Sequence, residues 1–93
     1  MNRTTKKHLQ GMVNRLNKMT NSPETYITVD ADGKRVINIG HYHIDYAYGG
    51  VQLVRTMNEG GGVNDVLGKG HQTKRELYDQ IYAYIRGIES TQQ

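Results

Sequence analysis

Apolar residues change their spacing twice along this chain, and that change limits the folds open to it more than any single motif does. Leu9, Met12, Val13, Leu16 and Met19 recur at the three- and four-residue intervals of one helix face, while Lys6, Lys7, Arg15 and Lys18 fall largely elsewhere. From Thr25 the period becomes two, in Tyr26-Ile27-Thr28-Val29 and again in Arg35-Val36-Ile37-Asn38-Ile39. Helical spacing returns with Leu77, Ile81, Tyr84, Ile85 and Ile88. The pattern predicts an α+β fold: an N-terminal helix over about residues 4–19, an antiparallel β-meander of three to five strands, and a C-terminal helix, with both helices packed on the sheet.

Punctuation between these segments supports that order. Asn21-Ser22-Pro23 should stop the first helix, because proline cannot continue the helical hydrogen bonds and pushes its predecessor toward extended backbone. Asp32-Gly33 supplies the positive φ of a tight hairpin. The extended run is expected to continue through His41-Tyr42-His43-Ile44, with Gly49-Gly50 closing the next turn and Val51 to Met57 forming a further strand. Three successive glycines make Asn58-Glu59-Gly60-Gly61-Gly62 a loop. Val63 to Leu67 then reads as a short edge strand before Gly68-Lys69-Gly70. Thr73 and Glu76 fit a capping box at the start of the last helix, which should fray through Gly87 and Ser90-Thr91-Gln92-Gln93.

Ninety-three residues allow one domain, taken as 1–93. Its large aliphatic residues are few, five Leu, seven Ile and seven Val with no Phe. A core that thin makes self-association an expected further source of stability. The chain has no cysteine, which removes disulfide frameworks and thiolate chemistry from consideration. No apolar run approaches the length of a membrane span, and the basic N-terminus is not followed by a secretory apolar stretch, so the cytoplasm is the expected compartment. A net charge of +3 favours anionic partners.

Among residues that carry chemistry, His41-Tyr42-His43-Ile44-Asp45 could bring two imidazoles and a carboxylate to one strand face and hold a metal. Such a run is more often a solvated or hydrogen-bonded face, and Tyr46 stands where the metal-binding run of metallo-hydrolases has a further histidine. No nucleophile can be assembled, since the only serines are Ser22 and Ser90 and there is no cysteine. Glu59 and Asp65 are the only acids near the glycine loop, so acid–base catalysis has little to work with. Phosphate binding is better served. Glycine-rich amides and a helix N-terminus bind anion oxygens, and Lys74 and Arg75 in the first turn of the last helix oppose its macrodipole. Tyr42, Tyr46 and Tyr48 near the Gly49-Gly50 turn are suited to stacking on a base, with Tyr48 the least committed to a core. A basic N-terminal helix carrying Arg3, Lys6, Lys7, Arg15 and Lys18, in a stretch of 23 residues without Asp or Glu, could instead lie on nucleic acid.

The run Gly40-His41-Tyr42 through Ala47-Tyr48-Gly49-Gly50, then Met57-Asn58-Glu59-Gly60-Gly61, then Lys74-Arg75-Glu76-Leu77-Tyr78 resembles the first family of phage anti-Thoeris proteins. That resemblance implies a phage protein that sequesters cyclised ADP-ribose signals of bacterial immunity, and cyclic oligonucleotides in some members, without cleaving them. It implies a base-stacking role for Tyr48, a polar contact from Asn58 and a phosphate contact from Arg75; Gly60 and Gly61 of the glycine loop and Thr73 at the helix start, from the residue reading above, complete the expected ligand-binding set. It also implies a homo-oligomer, a dimer or dimer-based hexamer, with sites between subunits and no cofactor. The likeness spans residues 40–86, and the chain is shorter than typical members. The alternatives are a small basic nucleic-acid- or protein-binding module, or a metal-dependent hydrolase.

Overall fold

The structure, a computed structural model, describes residues 4–91. Its elements follow the expected order: α1 (Lys6–Met19), β1 (Ile27–Val29), β2 (Arg35–Ile37), β3 (Tyr42–Ala47), β4 (Gly50–Thr56), β5 (Val63–Asp65) and α2 (Lys74–Thr91). Thr5 caps α1, its hydroxyl accepting from the His8 amide at 3.2 Å while the Thr5 amide donates to His8 Nδ1 at 3.1 Å. At the other end Asn21 takes a left-handed conformation (φ 55°). The Ser22 amide then reaches the Asn17 carbonyl and the Asn21 amide the Lys18 carbonyl, which closes the helix as a Schellman motif. Asn21 therefore ends α1, and Pro23 follows the stop. The expected fraying at Gly87 and from Ser90 onward is not seen at Gly87, Ser90 or Thr91, which remain helical, while Gln92 and Gln93 lie outside the described residues.

The strands form two antiparallel sheets instead of one meander, β1-β2 and β3-β4-β5. The expected continuation from β2 into His41–Ile44 is broken at Gly40 (φ 96°), whose amide donates to the Thr56 carbonyl and whose carbonyl accepts from Arg55 Nε. That turn sends the chain from one sheet into the other. Asp32-Gly33 does lie in the β1-β2 connection, as expected. Gly33 has φ 79°, and the Asp30 carboxylate accepts from the amides of Asp32 and Lys34. The β3-β4 turn sits one residue earlier than the sequence led us to expect. Ala47 pairs with Gly50, so Tyr48 (φ 54°) and Gly49 (φ 72°) are the turn residues, the positive-φ pair that matches the twist of a two-residue hairpin. Gly50 serves another purpose: a Cβ there would lie 3.0 Å from the Gln72 carbonyl oxygen.

One core joins the three-stranded sheet to both helices. Tyr42 and Ile44 of β3 and Val51 and Leu53 of β4 pack against Leu9, Met12, Val13 and Leu16 of α1 and Leu77, Ile81 and Ile85 of α2. Asn17 is buried among them, and its amide donates to the Tyr42 carbonyl at 3.0 Å and accepts from the Tyr42 amide at 2.9 Å. It thus satisfies both backbone groups of the residue that opens β3. The helices run side by side in the same direction: Arg15 bonds Glu89 at one end, while Lys7 and Tyr78 share a hollow at the other. Both N-termini therefore lie beside the Tyr48-Gly49 turn.

Residues His41, His43, Val54 and Thr56 face away from the helices, and Tyr26 packs beside the two histidines, its ring 5.4 Å from that of His43 and 6.4 Å from that of His41. Burial first, and then the neighbouring His41, lower the pKa of His43 from its ordinary 6.5. Below pH 6.5 the unfolded chain takes up this proton and the folded chain resists it, so the stability His43 lends above that pH is lost as the pH falls through its folded value. Thermal melts between pH 7.5 and 5 should show a falling Tm, and His43→Gln should flatten part of that dependence. Equal slopes for both proteins would contradict this assignment.

Candidate functional site

The proposed ligand-binding residues separate into two groups at opposite ends of β4, which at ~3.3 Å per residue spans about 20 Å. Asn58, Gly60 and Gly61 belong to the loop that follows β4. Tyr48, Thr73 and Arg75 lie at the end where β4 begins, because Val51 bridges to Gln72 immediately before α2. A single chain does not bring Arg75 to Asn58, so the expected cradle of these residues is not formed within it.

Nor is the glycine loop an open amide nest. Asn58 Oδ1 accepts from the amides of Gly60 (3.0 Å) and Gly62 (2.9 Å), and the Asn58 carbonyl accepts from the Gly61 amide. The side chain of Asn58 occupies the place an anion would take. Gly61 is required for two local reasons, its φ of 86° and the Tyr26 hydroxyl only 2.6 Å from where a Cβ would stand. Gly61→Ala should accordingly destabilise the fold by about 1–3 kcal/mol, read as a lowered urea midpoint, and an unchanged midpoint would show the loop to be freely adaptable.

At the other end Lys6 and Lys74 line one hollow. α1 opens with Lys6-Lys7 and has no acid in its first turn, and α2 opens with Lys74-Arg75. Between the two starts lies a hollow of about 310 Å³ lined by Lys6, Tyr46, Ala47, Gly49, Gly50, Val51 and Lys74. Lys6 Nζ stands 4.7 Å from the centre of the Tyr46 ring, a favourable cation–π distance. The Thr73 hydroxyl accepts from the Glu76 amide and the Glu76 carboxylate accepts from the Thr73 amide, so the anticipated capping box is present. Arg75 is exposed beside the hollow, its Nε 3.4 Å from Asp79. Tyr48 is 96% exposed at the hairpin tip, with its ring edge-on to His71 at 5.5 Å.

The approach to α2 is built to hold this end in place. The Asp65 carboxylate accepts from the amides of Gly68 and Gly70. Partial burial pushes its pKa upward, and the amide and Gln52 hydrogen bonds outweigh that and leave it lowered. His71 is tied to Asp45 at 2.9 Å. Asp45 is thus engaged away from His41, whose Nδ1 lies 2.8 Å from the Pro23 carbonyl and whose ring stacks on His43. Among the described residues no group of three or more His, Asp or Glu is placed to hold a metal ion, so the His41-His43-Asp45 run is not arranged as a metal centre.

The fold and this end define a small α+β chain with a cationic, aromatic-rimmed hollow between two parallel helix starts. Comparison with protein-family models, curated proteins and solved structures gave no match. No helix among the described residues is long and apolar enough to cross a membrane. Sequence reasoning anticipated the α2 cap but missed that Lys6, Tyr46 and Lys74 line one hollow. The available signal was that both helices begin with two basic residues, an unfavourable choice for each helix alone.

Proposed function

We propose that this chain is a non-catalytic binder of an anionic, nucleotide-like small molecule, held at the hollow between Lys6 and Lys74. The observation that carries the reading is the convergence of two parallel helix N-termini, each already bearing extra cations, on one concave surface. Each helix start contributes roughly half a positive charge to that end, and backbone amides and lysines together suit phosphate oxygens. Tyr46 and Tyr48 offer ring faces beside it. Tyr48 is a bulky residue in left-handed backbone, where asparagine or glycine is favoured; its ring is free to meet a base. Among the described residues the imidazole–carboxylate pair beside the hollow is His71 with Asp45, and no serine or cysteine stands with it, which favours holding a ligand over cleaving it.

In its most specific form, drawn from the anti-Thoeris resemblance, the ligand is a cyclised ADP-ribose or a cyclic oligonucleotide, and the role is sequestration of an immune signal in a bacterial host's cytoplasm. Use of Asn58, Gly60 and Gly61 together with Tyr48, Thr73 and Arg75 then requires a homo-oligomer in which one copy's glycine loop meets another's helix starts. The basic face of α1 supports nucleic-acid binding as a second reading, through Lys6, Lys7, Arg15 and Lys18; Arg3 lies outside the described residues. The two readings part in one experiment. Protein incubated with cyclised ADP-ribose isomers and then heat-denatured should release the ligand with unchanged mass. Hydrolysed products, or no uptake at all, would overturn the sequestration reading, and a steep salt dependence with DNA in its place would favour the second.

A further inference from the structure

Within the larger sheet β5 has no helix behind it. α1 packs on β3 and α2 on β4, and β5 touches β4 alone among the named elements. Its residues Val63 and Asn64 are exposed, Val63 at 51%.

Backbone groups on an antiparallel strand point alternately to one side and the other. The Met57 amide donates to the Gly62 carbonyl and the Val66 amide to the Leu53 carbonyl, so Gly62, Asn64 and Val66 face β4. Val63 and Asp65 therefore turn their amides and carbonyls outward, where no backbone group among the described residues meets them. The opposite edge is treated differently, for Asn17 of α1 takes both outward groups of Tyr42 on β3. β5 carries neither the lysine nor the proline that commonly blocks an edge. The Asp65 carboxylate is turned aside to the amides of Gly68 and Gly70.

We infer that β5 is an interface, pairing antiparallel with β5 of a second copy about a two-fold axis at Asn64. The register is self-complementary. One copy's Val63 exchanges both backbone bonds with the second copy's Asp65, and the reverse. The two Asn64 side chains face each other on the helix side as a non-hydrogen-bonded pair, each amide able to donate and to accept.

Position and charge select a second copy over a foreign strand. Asn64 lies opposite Arg55, and Val51, where Gln72 joins the sheet, is four residues along β4. The tip of the glycine loop lies about as far from Arg55 in the other direction, so the two-fold sets the second copy's loop beside Gln72. Glu59, the single charge of that loop, then meets Lys69, and Asn58, Gly60 and Gly61 come to the end that holds Thr73 and Arg75. The pairing needs no ligand; its use in joining the two halves of the ligand-binding set rests on the binding reading above.

Sedimentation of ligand-free protein up to millimolar concentration tests the interface, and oxidised Asn64→Cys tests the register. The chain has no cysteine of its own, and residues of a non-hydrogen-bonded pair lie within disulfide reach. The expected results are a monomer–dimer equilibrium in the parent, cross-linked dimer from Asn64→Cys but not from the exposed control Gln10→Cys, and at least a tenfold loss of association in Val63→Lys and Val63→Pro. Both Val63 variants should melt with the parent at dilution, because an outward amide makes no bond to β4. A parent that stays monomeric overturns the interface. A dimer that ignores both Val63 variants, or cross-links equally through Gln10→Cys, forms elsewhere and overturns it too. A dimer that behaves as expected yet takes up no cyclised ADP-ribose supports the interface and removes the binding reading.

Discussion

Asn17→Leu should unfold far more readily than the parent protein, by about 2–5 kcal/mol, although leucine fills a similar volume and suits a helix better. The side chain of Asn17 is buried, and it is the partner of both the amide and the carbonyl of Tyr42. Leucine leaves those two backbone groups dry and unpaired, each at roughly 1–3 kcal/mol. In a domain of this size the loss lowers Tm by more than about 10 °C. Asn17→Ala should be at least as damaging, because it adds a cavity. If Asn17→Leu melts with the parent, the amide is not what seats α1 on β3, and water reaches Tyr42 instead.

The second large effect has opposite signs on stability and on binding. Lys6→Glu combined with Lys74→Glu should weaken pyrophosphate binding at low salt by tenfold or more, about 1.4 kcal/mol, with the difference shrinking as salt screens the charges. The same two changes place carboxylates in the first turns of both helices, where they complement the macrodipoles by roughly 0.3–1 kcal/mol each. The double variant should therefore melt at the parent's temperature or above it while losing the ligand. A variant that gains stability and loses binding identifies the lysines as residues kept for an anion. One that binds pyrophosphate as before removes the hollow from consideration.

How much of this was legible in the sequence differs between elements for physical reasons. The two helices were visible because a buried helix face imposes its own spacing, and the Thr73–Glu76 cap was visible because both partners lie three residues apart. The end of α1 was placed correctly for an incomplete reason: Pro23 is the conspicuous residue, yet the left-handed Asn21 makes the turn. Gly49-Gly50 misled the turn assignment by one position. Two adjacent glycines look alike in sequence, and only the packing of Gln72 against Gly50 shows that one is there for close approach and the other for its φ. The division into two sheets depends on Gly40 and on Arg55, fifteen residues away, so no local pattern announces it.

For the site, the chemistry was more legible than the geometry. A cationic surface with aromatics beside it follows from residue types. That Asn58 fills its own glycine loop could have been read from asparagine's habit of bonding amides two to four residues on. The meeting of Lys6 with Lys74 could not, because it depends on α1 and α2 lying parallel, and a helix pair separated by a sheet can pack in either sense.

Amide chemical-shift mapping by NMR during a pyrophosphate titration tests the central claim most directly. Binding between the helix starts predicts that the shifts concentrate at residues 5–7, 47–51 and 73–75. Shifts confined to residues 58–62, or none at saturating pyrophosphate, would contradict it.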